Sequence, residues 1–218
     1  MIVKFKCEYI IMEECFMEIK RGNMDRVLLL LDDDLDVNLR DNNNMYLIQY
    51  AILYNQERIV KKLLLRNCKI DMIDVDGYSI LYLTIKYGYD GLLGILLGTD
   101  IVGIPIYNII DKHGSLPIYY AIKYMNEYAL KVLLECGCNI NILNNRGDSI
   151  LHVALKNKNI SVGIIKLLLD YEKTNINIQN ANGETALHTA CYNGNYEIIR
   201  MILSKNIDVN KYDYDNHY

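Results

Sequence analysis

The sequence predicts an all-α fold, a solenoid of about six helix-turn-helix units with finger-like turns. Three observations carry this. The order turn, short helix, Gly turn, second helix, Asn-rich loop fills Asn180 to Tyr212 and can be laid over almost everything before it. Units begin at Glu8, Asp41, Asp74, Asp111, Asn144 and Asn180, at intervals of 33, 33, 37, 33 and 36 residues. Such a period marks stacked repeats, each a supersecondary unit unable to bury its apolar face alone. The second observation is an apolar stripe at helical spacing in every unit, for example Ile59/Leu63/Leu64, Leu130/Leu133/Leu134 and Ile165/Leu168/Leu169. The third is a glycine at the same place in four units, Gly77, Gly114, Gly147 and Gly183. It suits a tight turn that needs positive φ.

Taken in order, residues 1–7 read as a frayed leader. Repeats follow at 8–40, 41–73, 74–110, 111–143, 144–179 and 180–212, with a partial repeat or tail at 213–218. The first unit lacks the turn motif, which suits a terminal capping repeat. Its Asp32, Asp33 and Asp34 oppose the macrodipole at the end of the second helix and are expected to stop it. In the second unit Asn44 replaces the turn glycine, since Asn tolerates the left-handed conformation. The third offers Ser79 as a hydroxyl cap and carries an insertion that leaves a greasy loop around Ile101 to Ile109. Pro117 falls in the first helical turn of the fourth, where a missing N–H costs nothing. Three extra residues lengthen the fifth around Ser161 and Thr174. In the sixth, Thr185 is the cap and His188 follows three residues later.

Composition narrows the function. The apolar share is 51% and the charged share 23%, enough for both a core and a hydrated surface. A net charge of −4 gives no bulk attraction to nucleic acid or anionic membrane. No secretory signal is visible, and the apolar stretch Gly91 to Ile110 is interrupted by Asp100 and Pro105, so no membrane span is expected. None of the six cysteines forms a C-x-x-C pair. Cys15, Cys68, Cys138 and Cys191 fall where the repeat calls for a small buried residue, which points to reduced thiols in a reducing compartment. Nineteen Tyr stand against two Phe and no Trp.

The segment GETALHTACYNGNYEIIRMILSKNIDVN, Gly183 to Asn210, resembles an ankyrin repeat over its whole length. The resemblance implies a stack of two-helix units and a role in protein recognition. Composition and diverged repeats together look like the ankyrin proteins of large DNA viruses that infect eukaryotes. That likeness implies a host cytoplasmic protein as partner. No F-box-like tail is seen, so recruitment of a ubiquitin ligase is not expected. His152 and His188 invite a catalytic or metal reading. In ankyrin-like repeats this histidine instead bonds locally and to the neighbouring turn, and Tyr82 and Tyr119 fill the same slot here. His113 and His217 are lone residues with no ligand set. No phosphate-binding loop, nucleophile elbow or H-E-x-x-H is present. We therefore expect no enzyme activity, cofactor or metal.

The resemblance also implies that two residues near the end of each first helix face the inner groove. They are Lys20-Arg21, Leu53-Tyr54, Lys86-Tyr87, Lys123-Tyr124, Lys156-Asn157 and Tyr192-Asn193. Lys recurs in four units, and Tyr in the second place of three consecutive ones. Cations beside aromatics suit an acidic or extended partner segment. The bland alternative is solvated Lys and compositional Tyr. Finger residues Asp76, Tyr78, Lys112, His113 and Arg146 are further candidate contacts. Two uses of this surface are open, a protein partner and a nucleic acid or nucleotide whose bases stack on Tyr while Lys meets phosphate. Overall acidity favours the first. The sixth repeat has only the stub DYDNHY after it, so Ile198, Ile199 and Ile202 are expected to be partly exposed. Self-association there, and faster amide exchange than in repeats three to five, are the expectations.

Overall fold

The computed structural model describes residues 2–32, 36–38, 40–98 and 105–214, the side chains of 2–9 and of Asp32 excepted. Among the described residues there are twelve α-helices and no strand. The chain divides into two compact units, Met1–Ile109 and Ile110–Tyr218. The first holds α1 (Ile2–Arg21), α2 (Met24–Asp32), α3 (Leu47–Leu53), α4 (Glu57–Leu65), α5 (Ile80–Tyr87) and α6 (Asp90–Leu97). The second holds α7 (Pro117–Lys123), α8 (Glu127–Glu135), α9 (Ile150–Lys156), α10 (Val162–Asp170), α11 (Ala186–Asn193) and α12 (Tyr196–Leu203).

After α1, no helix exceeds nine residues, too short for independent stability, so packing holds them. In the first unit each odd-numbered helix packs on its even partner and on the next odd helix, α1 on α3 and α3 on α5. The even helices do the same, α2 on α4 and α4 on α6. The second unit repeats the scheme with α7, α9 and α11 in one row and α8, α10 and α12 in the other. The stripes meet between the rows. Ile59, Leu63, Leu130, Leu133, Ile165 and Leu168 are all 0–1% exposed. Each such side chain contributes roughly 1.5–3 kcal/mol.

Local signals act as the sequence predicts at several places. Gly77, Gly114, Gly147 and Gly183 all have positive φ, and Asn44 adopts φ +62° in the same role. Pro117 opens α7. Asn126, Ser161 and Asn195 cap α8, α10 and α12 through their side chains. Helix α2 ends at Asp32, while Asp33 and Asp34 lie outside the described residues. In the inserted loop, residues 101–104 are likewise outside, and Ile106 is buried in a short 3-10 turn.

Four expectations are corrected. Helix α1 begins at Ile2 rather than near residue 8, because the leader contains no glycine or proline to stop it. Ser79 sits at the start of α5 but makes no capping bond, and its hydroxyl is buried without a partner. Three residues on stands Tyr82, whereas at Ser149 and Thr185 a histidine Nδ1 meets the hydroxyl at 2.6 and 2.8 Å. Ser79→Ala is therefore expected to change stability by less than about 0.5 kcal/mol. Thr185→Ala should cost about 1 kcal/mol, and urea unfolding of both variants checks the contrast.

Ile198 and Ile202 are buried, at 3% and 0% exposure, because both turn into their own helix pair. The exposed member of that stripe is Leu203, at 49%. Cys191 is exposed, unlike Cys15, Cys68 and Cys138. Burial pushes those three thiols up to about 12, which suppresses their nucleophilic form. Residues 215–218, including His217, lie outside the described part of the chain.

Candidate functional site

The pairs at the ends of the first helices are solvent-facing in both units, but their neighbours differ. In the first unit Lys20 places its ammonium 4.9 Å from the centre of the Tyr50 ring in the next repeat. Tyr54 stacks on Tyr50 at 6.5 Å and is 40% exposed. Tyr50 is itself buried, touches Phe16, and donates its hydroxyl to Asp41 at 2.7 Å. Asp41 also receives the N–H groups of Asn43 and Met45, and these bonds hold its carboxyl below the usual range against the opposing effect of desolvation. A buried tyrosine thus anchors an exposed cation and an exposed ring.

Further along the same unit, Lys86 lies 5.4 Å from the Tyr82 ring and 5.1 Å from the Tyr87 ring. Tyr87 stacks on Tyr89 at 5.6 Å and Tyr82 on Tyr78 at 3.8 Å. The finger residue Tyr78 therefore belongs to the same aromatic cluster as the helix-end pair. Asp76 is exposed at the finger tip.

In the second unit Lys123 sits 6.0 Å from Tyr120 and 5.6 Å from Tyr124. Tyr120 donates to Asp111 at 2.5 Å, the counterpart of the Tyr50–Asp41 bond. Lys156 departs from the pattern. It forms an ion pair with the buried Asp148 at 2.6 Å, so its charge is engaged within the fold. Tyr192 is 91% exposed beside Asn193, whose amide donates to the Leu155 carbonyl. Lys112, His113 and Arg146 are exposed on the fingers, and the His113 carbonyl accepts from the Asn145 amide at 3.1 Å. The structure thus groups Lys20 with Tyr54, Lys86 with Tyr87 and Tyr78, and Lys123 with Tyr124.

Sequence reasoning missed Tyr50 and Tyr120, the rings over which Lys20 and Lys123 sit. A signal was present: in both repeats an Asp opens the unit nine residues before the Tyr that binds it. Such exposed cation–π contacts contribute about 0.5–1 kcal/mol each. They hold the ammonium near a flat apolar face, which suits a carboxylate followed by an apolar group.

His152 is fully buried, and its two ring nitrogens have separate tasks. Nδ1 meets the Ser149 hydroxyl at 2.6 Å, and Nε2 lies 2.8 Å from the Glu184 carbonyl of the next repeat. Since a carbonyl only accepts, the proton is on Nε2. Gln49, in the equivalent slot, accepts only from its own turn, at the Tyr46 N–H. Tyr119 reaches only the loop beyond, donating to Ile142 at 2.7 Å. Histidine does both, which is a structural task. Among the described residues no group of three or more metal-ligating side chains converges. A shallow depression between α8 and α10 is lined by both signs of charge, Glu127, Lys131, Lys166 and Asp170. No described helix is long and apolar enough to cross a membrane.

The family model for ankyrin repeats in three copies matches residues 16–104, 60–144 and 118–213. The chain belongs to the ankyrin-repeat family. Among curated ankyrin relatives, a protein of Acanthamoeba polyphaga mimivirus is 41% identical over 152 residues, covering 69% of this chain and 20% of the relative. Ankyrin repeat protein 14 of vaccinia virus (strain Western Reserve) is 31% identical over 67 residues, covering 31% of this chain and 28% of the relative. The likeness to ankyrin proteins of large DNA viruses is thus shown, and this chain spans a minor part of those relatives' length. Among solved structures, the ankyrin repeat domain of Bcl-3, described as a unique member of the IkappaB protein family, aligns with a TM-score of 0.85. It shares 21% identity over 93% of this chain and 90% of that one, which shows the fold. Ankyrin repeats are in general non-catalytic protein-interaction scaffolds.

Proposed function

We propose that this ankyrin-repeat chain is a non-enzymatic module that binds a protein partner, with the ends of the first helices and the finger tips as its contact surface. The observation that carries this is the recurrence of one arrangement at equivalent positions. Lys20, Lys86 and Lys123 each lie over tyrosine rings, with Tyr54, Tyr87 and Tyr124 beside them. Packing within the repeats does not demand exposed aromatics there. The partner segment that fits is extended and acidic, its carboxylates meeting the ammonium groups and its apolar atoms the rings. Lys156 adds little, because Asp148 already neutralises it. Likeness to viral ankyrin proteins supports a host protein of the cytoplasm as the partner.

The test is capture from host-cell lysate with the chain and with a variant carrying Lys86→Ala, Tyr87→Ala, Lys123→Ala and Tyr124→Ala. Capture of a defined protein should fall at least tenfold in the variant, with helical circular dichroism unchanged; undiminished capture overturns the reading. Single-stranded RNA serves as the competing ligand. Salt-dependent RNA binding lost in the same variant would replace the protein partner by a nucleic acid. A second surface, at the sixth repeat, suits a copy of the chain itself.

A further inference from the structure

Position by position, one face of the sixth repeat is open where its counterparts are closed. Leu187 is half-exposed, whereas Ile48, Ile118 and Leu151 in the second, fourth and fifth repeats are at most 1% exposed. Cys191 is exposed, whereas Ile52, Ile122 and Leu155 are at most 2%. Ile199 is half-exposed against 0% for Val60, Leu130 and Ile165. Leu203 is 49% exposed against 8%, 6% and 6% for Leu64, Leu134 and Leu169. Val209 is 50% exposed against 2%, 2% and 9% for Ile70, Ile140 and Ile176. In the other repeats the helices of the following repeat pack on these faces, α5 on α3, α9 on α7 and α11 on α9. Among the described residues no helix does so for α11 and α12.

The loop edge tells the same story. Asn141 donates to the Lys173 carbonyl and accepts from the Asn175 N–H of the next loop. Asn177 does the same with Asn206 and Asp208. Asn210 holds the equivalent position on the open face. Lys205, which would place a charge beside Leu203, is drawn aside by Asp170 at 2.7 Å. What remains is apolar in the middle with an amide at its edge, the character of an interface.

The first repeat is finished differently. Glu14 and Arg26 form an ion pair at 2.7 Å, both side chains partly exposed. They occupy positions held elsewhere by buried apolar residues: Leu47, Ile150 and Ala186 for Glu14, and Ile59, Ile164 and Ile198 for Arg26. Pressing that pair against an apolar face would desolvate both charges. A copy's first repeat is therefore no complement for the sixth, and head-to-tail stacking is disfavoured. The sixth-repeat face, uncharged at its centre, complements itself, and two-fold pairing of one patch with itself is the commonest form of homo-oligomer.

We propose that this chain forms a symmetric dimer through its sixth repeats, with Leu187, Ile199, Leu203 and Val209 of one copy against the same residues of the other. The two Cys191 side chains then lie close across the axis. The proposal is independent of the partner surface at the first-helix ends, and the variant that removes that surface should still dimerise.

Sedimentation velocity of the full chain, from about 1 to about 200 µM, a range that spans micromolar association, tests it. The mass should rise to that of two chains and stop. Leu203→Glu and, separately, Val209→Glu should hold it at one chain; both positions are exposed, so circular dichroism should not change. A short bismaleimide should link the wild-type copies, and the link should vanish in Cys191→Ser and fall sharply in Leu203→Glu. Amides of α11 and α12 should gain protection from exchange as concentration rises. A single-chain mass across the range overturns the proposal, as does growth beyond two chains or linking that Leu203→Glu leaves intact.

Discussion

Replacing His152 with alanine should destabilise the second unit by about 3 kcal/mol, read as a fall in the urea midpoint of its unfolding. The side chain is fully buried, so truncation leaves a cavity. It also strips partners from two places at once, the Ser149 hydroxyl and backbone N–H in its own turn and the Glu184 carbonyl in the next. Buried groups left without partners account for a good part of the loss. His152→Gln should recover the local half, because Gln49 makes that bond in the second repeat. An alanine variant within about 0.5 kcal/mol of wild type would show that the repeats are held by apolar contact alone.

The same residue sets a pH dependence. Burial pushes the His152 imidazole below its ordinary value of 6.5, only partly offset by the bond to the Glu184 carbonyl. The unfolded chain therefore takes up a proton that the folded chain resists. The stability that neutral His152 contributes is fully present above pH 6.5 and is lost as pH falls below it, towards the depressed folded value. Asp41, whose value is lowered from 3.8, acts only in a more acidic range, so the two effects are separable. Urea midpoints measured between pH 7.5 and pH 5, values chosen to bracket about 6.5, should fall in the wild type. They should stay flatter in His152→Gln.

Gly147→Ala is the second large effect, expected to exceed about 2 kcal/mol. Gly147 has φ +74°, and an added Cβ would lie 2.6 Å from the Ala181 Cβ and 2.9 Å from the Ala181 nitrogen in the next finger. The backbone of one finger thus rests on the backbone of the next. Gly194, at φ +70° with nothing within 4 Å, isolates the backbone cost. Gly194→Ala should cost about 1 kcal/mol, and the difference between the variants measures the close approach. Arg146 precedes Gly147 on the finger tip, so a displaced finger should also weaken partner capture. Equal costs for the two glycines would mean that the fingers yield freely.

The helix pairs and turns were legible because their signals are local. Stripes such as Ile59, Val60, Leu63 and Leu64 repeat at helical spacing, and positive φ selects Gly77 or Asn44 whatever lies nearby. The contact surface was half legible. Lys86 with Tyr87 and Lys123 with Tyr124 are adjacent in sequence and adjacent in space. Lys20 over Tyr50 joins residues in different repeats, and Lys156 is taken up by Asp148 eight residues back across the turn. Ser79 kept the position of a cap and lost its partner, because the residue three places on is Tyr82 and not a histidine.

By itself the sequence determined the repeat, its six helix pairs, the finger turns and the absence of any catalytic motif, since each depends on residues within about one period of one another. Only the tertiary structure decided which members of each stripe are covered and which cations remain at the surface. Leu134 and Leu203 occupy the same position in their repeats, yet one is 6% exposed and the other 49%. The difference lies in the neighbour, a repeat further along the chain, and burial belongs to the pair of repeats that meet.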